Sequence, residues 1–196
     1  KTKKLNNQNK DLLIRNMGND IDRMNILISD IANYTLTGVE ISEEVLEKVE
    51  LISFLNDLKD SLYNTSFSLQ LETNVKEIFL RMNKNKFIQV IHNILDNSST
   101  YIPLNSSILI FVTLKEENCI IHFVDQGPGI PIEYKNKIFE RFYTDRLKDR
   151  NAHSGLGLSI AKKIIEGLGG SIYLIKSPHL GFEGACFEIK IPLRDL

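Results

Sequence analysis

The chain has 196 residues, room for one well-packed domain or a domain with an appendage. Apolar residues at 42% and charged residues at 25% exclude a disordered, collagen-like or wholly coiled-coil protein. Lys plus Arg (24) against Asp plus Glu (25) leaves a net charge of −1, with no basic excess for a nucleic-acid backbone or an anionic membrane. Two cysteines, Cys119 and Cys186, far apart in apolar surroundings, argue against a disulfide scaffold or cysteine-rich metal site and suit a reducing compartment. The longest apolar runs, such as Ile108–Val112, are too short to span a bilayer. With no signal-peptide pattern and no initiator Met, the chain reads as a soluble piece of a larger protein.

Lys1 to Lys10 is polar and basic and reads as a frayed end or linker. Ile14, Met17, Ile21, Met24, Ile28 and Ile31 then step by three and four, the seam of a helix that faces other helices, with Gly38 as its stop. Residues 42–63 are helical in period through Val45, Leu46, Val49, Ile52, Leu55 and Leu58, with a short strand around Val49-Glu50-Leu51. Alternation predicts strands at 67–71 and 77–81. A second helix spans 83–101, with Phe87, Val90, Ile91, Ile94 and Leu95 on one face. Strands at 107–114 and 119–125 flank a polar turn, residues 126–154 are mostly loop, and a third helix over 155–168 stops at Gly169-Gly170. Strands at 171–176 and 184–192 complete an α+β chain. The expected fold is an α/β sandwich of a mixed sheet on three helices, preceded by a helical bundle element.

Three local signals carry chemistry. Asn93-Ile94-Leu95-Asp96-Asn97 puts Asn93 and Asn97 four apart on one helical face, so that two neutral carbonyls can meet Mg²⁺ without adding charge beside phosphates. Asp125-Gln126-Gly127-Pro128-Gly129-Ile130 follows a buried strand, where a fixed Asp can accept from an exocyclic amine and glycines let backbone approach a ring. Ser154-Gly155-Leu156-Gly157-Leu158-Ser159 opens a helix whose free amides and dipole suit phosphate oxygens. Each alone is common in a solvated face or tight turn; the three in this order, after these elements, form a strong constellation.

These residues resemble the ATP-binding domain of sensor histidine kinases, in the superfamily shared with gyrase, heat-shock 90 chaperones and MutL. Asn93 to Tyr101 resembles the N box, Asp125 to Ile130 the G1 box, Ile138 to Tyr143 the F box and Ser154 to Ile160 the G2 box. Gly181 to Phe187 matches the small-residue turn before the last strand, and the Leu12 to Leu36 helix resembles the second helix of the kinases' dimerisation hairpin. The resemblance implies a partial helical region over 1–38 and an ATP-binding catalytic domain over 39–196. It also implies ATP and Mg²⁺ as cofactors, with Asn97 on the metal and Asn93 beside it supporting metal or phosphate. Tyr101 would lie against adenine, Asp125 would read its amine, and Gly127 and Gly129 would hinge a lid running to Ser154. Ile130, Ser154 and Leu158 would complete the ATP site, with Gly155, Leu156 and Gly157 offering backbone to phosphates. The chemistry would be transfer of the γ-phosphate to a histidine and then to a response regulator, within a homodimeric, membrane-bound sensor whose catalytic part is cytoplasmic.

The sequence departs from the family pattern where cations are usual: Thr100 precedes Tyr101 in place of Lys, Thr144 follows the F-box aromatic in place of Arg, and His153 replaces the first G2 glycine. Arg141 or Arg146 are the candidate substitutes for phosphate neutralisation, and Lys148 and Arg150 lie in the same stretch. None of the four histidines, His92, His122, His153 and His179, has the acceptor context of an acidic neighbour and a nearby Pro, so the expected acceptor lies upstream of Lys1 and the catalytic base with it. Two alternatives stay open: a degenerate, non-enzymatic nucleotide-binding or dimerising scaffold, and an ATPase relative without a histidine acceptor.

Overall fold

A computed structural model describes residues 46–62, 67–144 and 154–193. The helical seam over Ile14–Ile31 and the 1–38 region lie outside the described residues.

The chain enters as strand β1 (Glu47–Glu50), which turns directly into helix α1 (Leu51–Ser61). The helical period expected over 42–63 therefore starts later, and the short strand falls just before it. Glu50 makes the junction: its carboxylate accepts from Ile52 N (3.0 Å) and Ser53 N (2.6 Å), capping α1, and from Ile78 N (3.2 Å) across to the next strand pair. Next come β2 (Ser68–Thr73), β3 (Phe79–Met82), α2 (Lys84–Tyr101), β4 (Ser107–Lys115) and β5 (Asn118–Asp125). Helix α3 (Gly157–Gly167) and strands β6 (Ser171–Ile175) and β7 (Cys186–Pro192) finish the domain.

Five strands form one mixed sheet in the order β2-β4-β5-β7-β6, parallel only between β2 and β4. β1 and β3 form a separate antiparallel ribbon, with Val49 opposite Leu80. The period-two rule divides the large sheet. Ile108, Ile110, Val112, Ile121, Phe123, Phe187, Ile189, Ile172 and Leu174 face the helices and share one core with Leu55, Phe87, Ile91, Ile94, Ile160 and Ile164. The other face carries Leu109, Val124 and Cys186, covered by Phe182 from the β6–β7 connection in a small second cluster.

Boundaries at α3 shift for a physical reason. Gly155 has φ +72, a left-handed conformation no right-handed helix can include, so α3 begins at Gly157 and not at 155. Its end is as expected: Gly169, at φ +75, donates to Glu166 O and Gly170 to Ile165 O, both at 2.9 Å. The loop after β5 contains two short 3-10 turns, Ile132–Tyr134 and Lys137–Phe139, the second burying Ile138 and Phe139. Among the described residues no helix is long and apolar enough to cross a membrane.

Candidate nucleotide site

Asp125 is the last residue of β5 and points to the helix side of the sheet, as alternation from Ile121 and Phe123 requires. It is 3% exposed. A buried carboxylate needs donors, and two backbone amides supply them: Gly127 N and Ala185 N each donate to Oδ1 at 2.9 Å. The main chain reinforces this, with Asp125 N donating to Ala185 O (3.1 Å) and Gly184 N to Asp125 O (3.0 Å). Among the described residues nothing in the chain donates to Oδ2, so one oxygen is locked and the other is left for an incoming donor.

Gly184 is the residue that makes this possible. A Cβ there would fall on Asp125 Oδ1 and within 2.6 Å of Asp125 O and 2.7 Å of Gly127 N. Gly184 and Ala185 were not singled out as site residues by their sequence; the only signal was the small-residue turn that contains them. A Cβ on Gly127 would stand 3.0 Å from Asp125 Oδ1 and 3.5 Å from Tyr101 O, which brings the post-β5 loop to the C-terminal end of α2. Gly129 packs on Gly184, its would-be Cβ 3.6 Å from the Gly184 carbonyl. Tyr101 is exposed and Ile130 half-buried.

The amide pair sits one helical turn apart on α2. Asn93 and Asn97 are both half-buried, and Gly157 comes so close to Asn93 that a Cβ would lie 3.2 Å from its Oδ1. The structure thus joins the N-box and G2-box residues at the crossing of α2 and α3. Asn93 Nδ2 is buried without a hydrogen-bond partner among the described residues, an arrangement that costs free energy unless something completes it. Beside it, α3 starts with no side-chain cap, so the amides of Gly157, Leu158 and Ser159 are the orphan donors of a helix N-terminus. Leu156 departs from the expected role. Its side chain is buried in the core and its amide already donates to Ser154 Oγ at 3.2 Å, because a left-handed Gly155 turns that N–H back on the serine. Gly155 is itself fixed, accepting from Phe142 N at 2.9 Å with no room for a Cβ beside Phe142 and Tyr143.

Arg141 is exposed, and Arg146, with Lys148, Arg150 and His153, lies outside the described residues. Thr144 is exposed, and Thr100, also exposed, spends its hydroxyl on Asp96 O (2.9 Å). Both cysteines are buried, and burial pushes their thiols up to about 12, so neither supplies a nucleophile or ligand. Among the described residues no group of three His, Cys, Asp or Glu is arranged to hold a metal.

Comparison with known proteins bears on this geometry. Residues 82–195 match the family model "Histidine kinase-, DNA gyrase B-, and HSP90-like ATPase". The sensor protein ChvG of Rhizobium meliloti is 31% identical over 95% of this chain and 35% of its own length, so the chain spans about a third of that curated relative. Among solved structures, the nucleotide-free catalytic domain of histidine kinase ThkA superposes with a TM-score of 0.61 at 25% identity, covering 75% of this chain and 96% of that one. ThkA in complex with the response regulator TrrA gives 0.67 at 24%, covering 97% and 53%.

Proposed function

The chain belongs to the histidine kinase-, DNA gyrase B- and HSP90-like ATPase family as a catalytic domain of the sensor-kinase type, and on that premise we propose that it holds Mg-ATP for phosphoryl transfer to a histidine. The observation that carries this reading is the half-satisfied Asp125. Its Oδ1 is held by Gly127 and Ala185, and its Oδ2 is available to the adenine N6 amine, a donor that guanine lacks at that position. Gly127, Gly129, Ile130 and Tyr101 would border the ring.

The phosphate end has the right donors. A triphosphate beside the first turn of α3 would receive the amides of Gly157 and Leu158, and Asn93 Nδ2 gains the acceptor it lacks. Of the expected backbone set, Leu156 contributes through its place in the turn, with Ser154 holding its amide. Asn97 offers a neutral carbonyl for Mg²⁺. When bound, the metal neutralises charge spread over the β- and γ-phosphates. The residues of this chain would position the nucleotide for transfer, and the base for the attacking imidazole is proposed to lie beside the acceptor histidine.

In the whole protein the acceptor histidine is proposed to lie upstream of Lys1, on the hairpin to which 1–38 contributes its second helix, with 39–196 as the catalytic domain. The homodimer, the membrane-bound parent, the cytoplasmic placement and the response regulator as recipient belong to the same proposal. The likeness to ThkA supports the last, since that kinase was solved with its regulator.

Calorimetric titration of Mg·ATP, with Mg·GTP as control, tests the reading. Saturable binding that prefers adenine and disappears in Asp125→Asn, with circular dichroism unchanged, is expected. No binding up to millimolar ATP points instead to a scaffold that has lost its nucleotide.

A further inference from the structure

The sheet face turned away from the helices carries a row of side chains that nucleotide binding does not use. Registers place Glu72, Phe111, His122, Glu188 and Tyr173 side by side across β2, β4, β5, β7 and β6. His122, at the centre, is buried at 8% exposure. Its Nε2 lies 3.1 Å from Glu188 Oε2, and Lys190 Nζ stands 3.2 Å from the other Glu188 oxygen. Its Nδ1 lies 2.9 Å from Nε2 of His179, which the β6–β7 connection folds down over the sheet with its ring 4.8 Å from Phe111.

The connection that carries His179 ends on Asp125. His179 O accepts from Phe182 N (3.2 Å), and Phe182 is sealed against Leu109, Val124 and Cys186. Gly181 O accepts from Gln126 Nε2 (3.0 Å). Three residues further on, Gly184 and Ala185 make their bonds to Asp125. One short stretch therefore has a histidine on the outer face at one end and the support of Asp125 at the other.

We propose that the His122–His179 pair is a proton-operated positioning device. With His179 neutral, the pair clamps the 177–185 connection so that Gly184 and Ala185 hold Asp125; with both rings protonated, the clamp opens. Its effect on nucleotide rests on the proposed role of Asp125; the linkage itself does not.

The proton count follows from the partners. Glu188 stays ionised: burial pushes its carboxyl up, but the hydrogen bonds from His122 and Lys190 outweigh that and bring it below its ordinary value. His122 therefore donates from Nε2 to Glu188 and accepts at Nδ1 from His179 Nε2–H. One added proton still leaves the pair a single N–H between the two facing nitrogens, and the bond persists. A second proton leaves two N–H groups facing each other at 2.9 Å with no acceptor, and the bond is lost. Burial, then the charge of His122, lowers the His179 value, with Glu72 pulling it back up. Because His179 takes its proton less readily than a free imidazole, the clamp is intact near neutral pH and opens as pH falls below about 6.5. Among the described residues, the charged and titratable neighbours are Glu72 from β2, Tyr173 from β6, Cys186, Glu188 and Lys190 from β7, and His179 itself; β4 places the ring of Phe111 beside the pair.

NMR titration of the nucleotide-free protein reads the linkage directly, from about pH 7.5 to about 5. The Ala185 and Gly184 amides are expected to shift with the midpoint of the His179 ring, and to stay still in His179→Gln, which keeps a donor toward His122 but takes up no proton. ADP affinity should fall about fivefold over the same range, the worth of about one net hydrogen bond, and fall less in His179→Gln. An Ala185 amide indifferent to the His179 titration overturns the proposal. Amides that follow His179 in a protein that binds no ADP at any pH support the linkage and remove the nucleotide reading instead.

Discussion

Replacing Gly184 by alanine asks whether one missing methyl group shapes the site. The new Cβ would overlap Asp125 Oδ1 and crowd Asp125 O (2.6 Å) and Gly127 N (2.7 Å). Asp125 O and Gly127 N are main-chain atoms that cannot swing aside, and Oδ1 is held by two main-chain amides. The least costly relief turns the carboxylate out, giving up the two amide bonds at 2.9 Å. A hydrogen bond to a charged group contributes about 1.5–3 kcal/mol and overpacking costs about 1–3, partly offset as water reaches the freed groups. The expected loss of stability is about 2–4 kcal/mol, read as a lowered midpoint in urea unfolding. Adenine nucleotide affinity should fall more than about tenfold, since Oδ2 turns with its partner. Gly181→Ala is the matched control: nothing lies within 4 Å, and its φ of +79 imposes only a backbone cost of about 1–2 kcal/mol with affinity intact. Wild-type affinity in a well-folded Gly184→Ala protein would refute the claim that this glycine positions Asp125.

Asn97→Ala should weaken ATP binding in Mg²⁺ and leave binding in EDTA little changed; equal losses in both, by calorimetry, remove it from the metal. Glu50→Ala should destabilise by about 1–2 kcal/mol at neutral pH through loss of the α1 cap. Burial pushes the Glu50 carboxyl up, but amide bonds from Ser53, Ile78 and Ile52 bring it below its ordinary value. Its contribution is therefore full above about pH 4.5 and disappears as pH falls through the lowered value, so acid unfolding curves of the variant and parent should converge. Cys119 and Cys186, buried with thiols near 12, should resist thiol reagents at pH 8 in the folded protein and react only at the rate of unfolding, followed by mass spectrometry.

The elements with a continuous period were legible. Phe87, Val90, Ile91, Ile94 and Leu95 announce α2, and two apolar runs on either side of a polar turn announce β4 and β5. The stretch 42–63 was not legible in the same way. Val49 and Leu51 are both buried, a spacing of two that belongs to a strand, yet Leu51, Leu55 and Leu58 continue at helical spacing. A run of apolar residues compatible with both periods does not mark the switch; the Glu50 carboxylate does, and it needs a donor from Ile78, 28 residues away. Start positions near glycine failed for a related reason, since Gly155 reads equally well as a helix opening or as the left-handed residue before one.

The site shows the same division between what neighbours in sequence say and what neighbours in space add. Asn93 with Asn97, Asp125 with Gly127, and Gly155 with Gly157 could each be found because their spacing is local. What turns Asp125 from a buried carboxylate into a half-satisfied acceptor is the Ala185 amide, 60 residues on, and the bare Cα of Gly184. Neither residue carries chemistry in its side chain, so the small-residue turn that contains them gives no sign of their role; the requirement is for an absent group. The same connection carries His179, which reads as an ordinary turn histidine until the fold lays it on His122. Antiparallel pairing of β7 with β5 brings both together, because it sets Cys186 opposite Val124 and so delivers the residues just before β7 to the end of β5. A single strand register thus fixes the support of Asp125 on one face and the histidine pair on the other. A substitution that slipped β7 by one residue would disturb both sites at once.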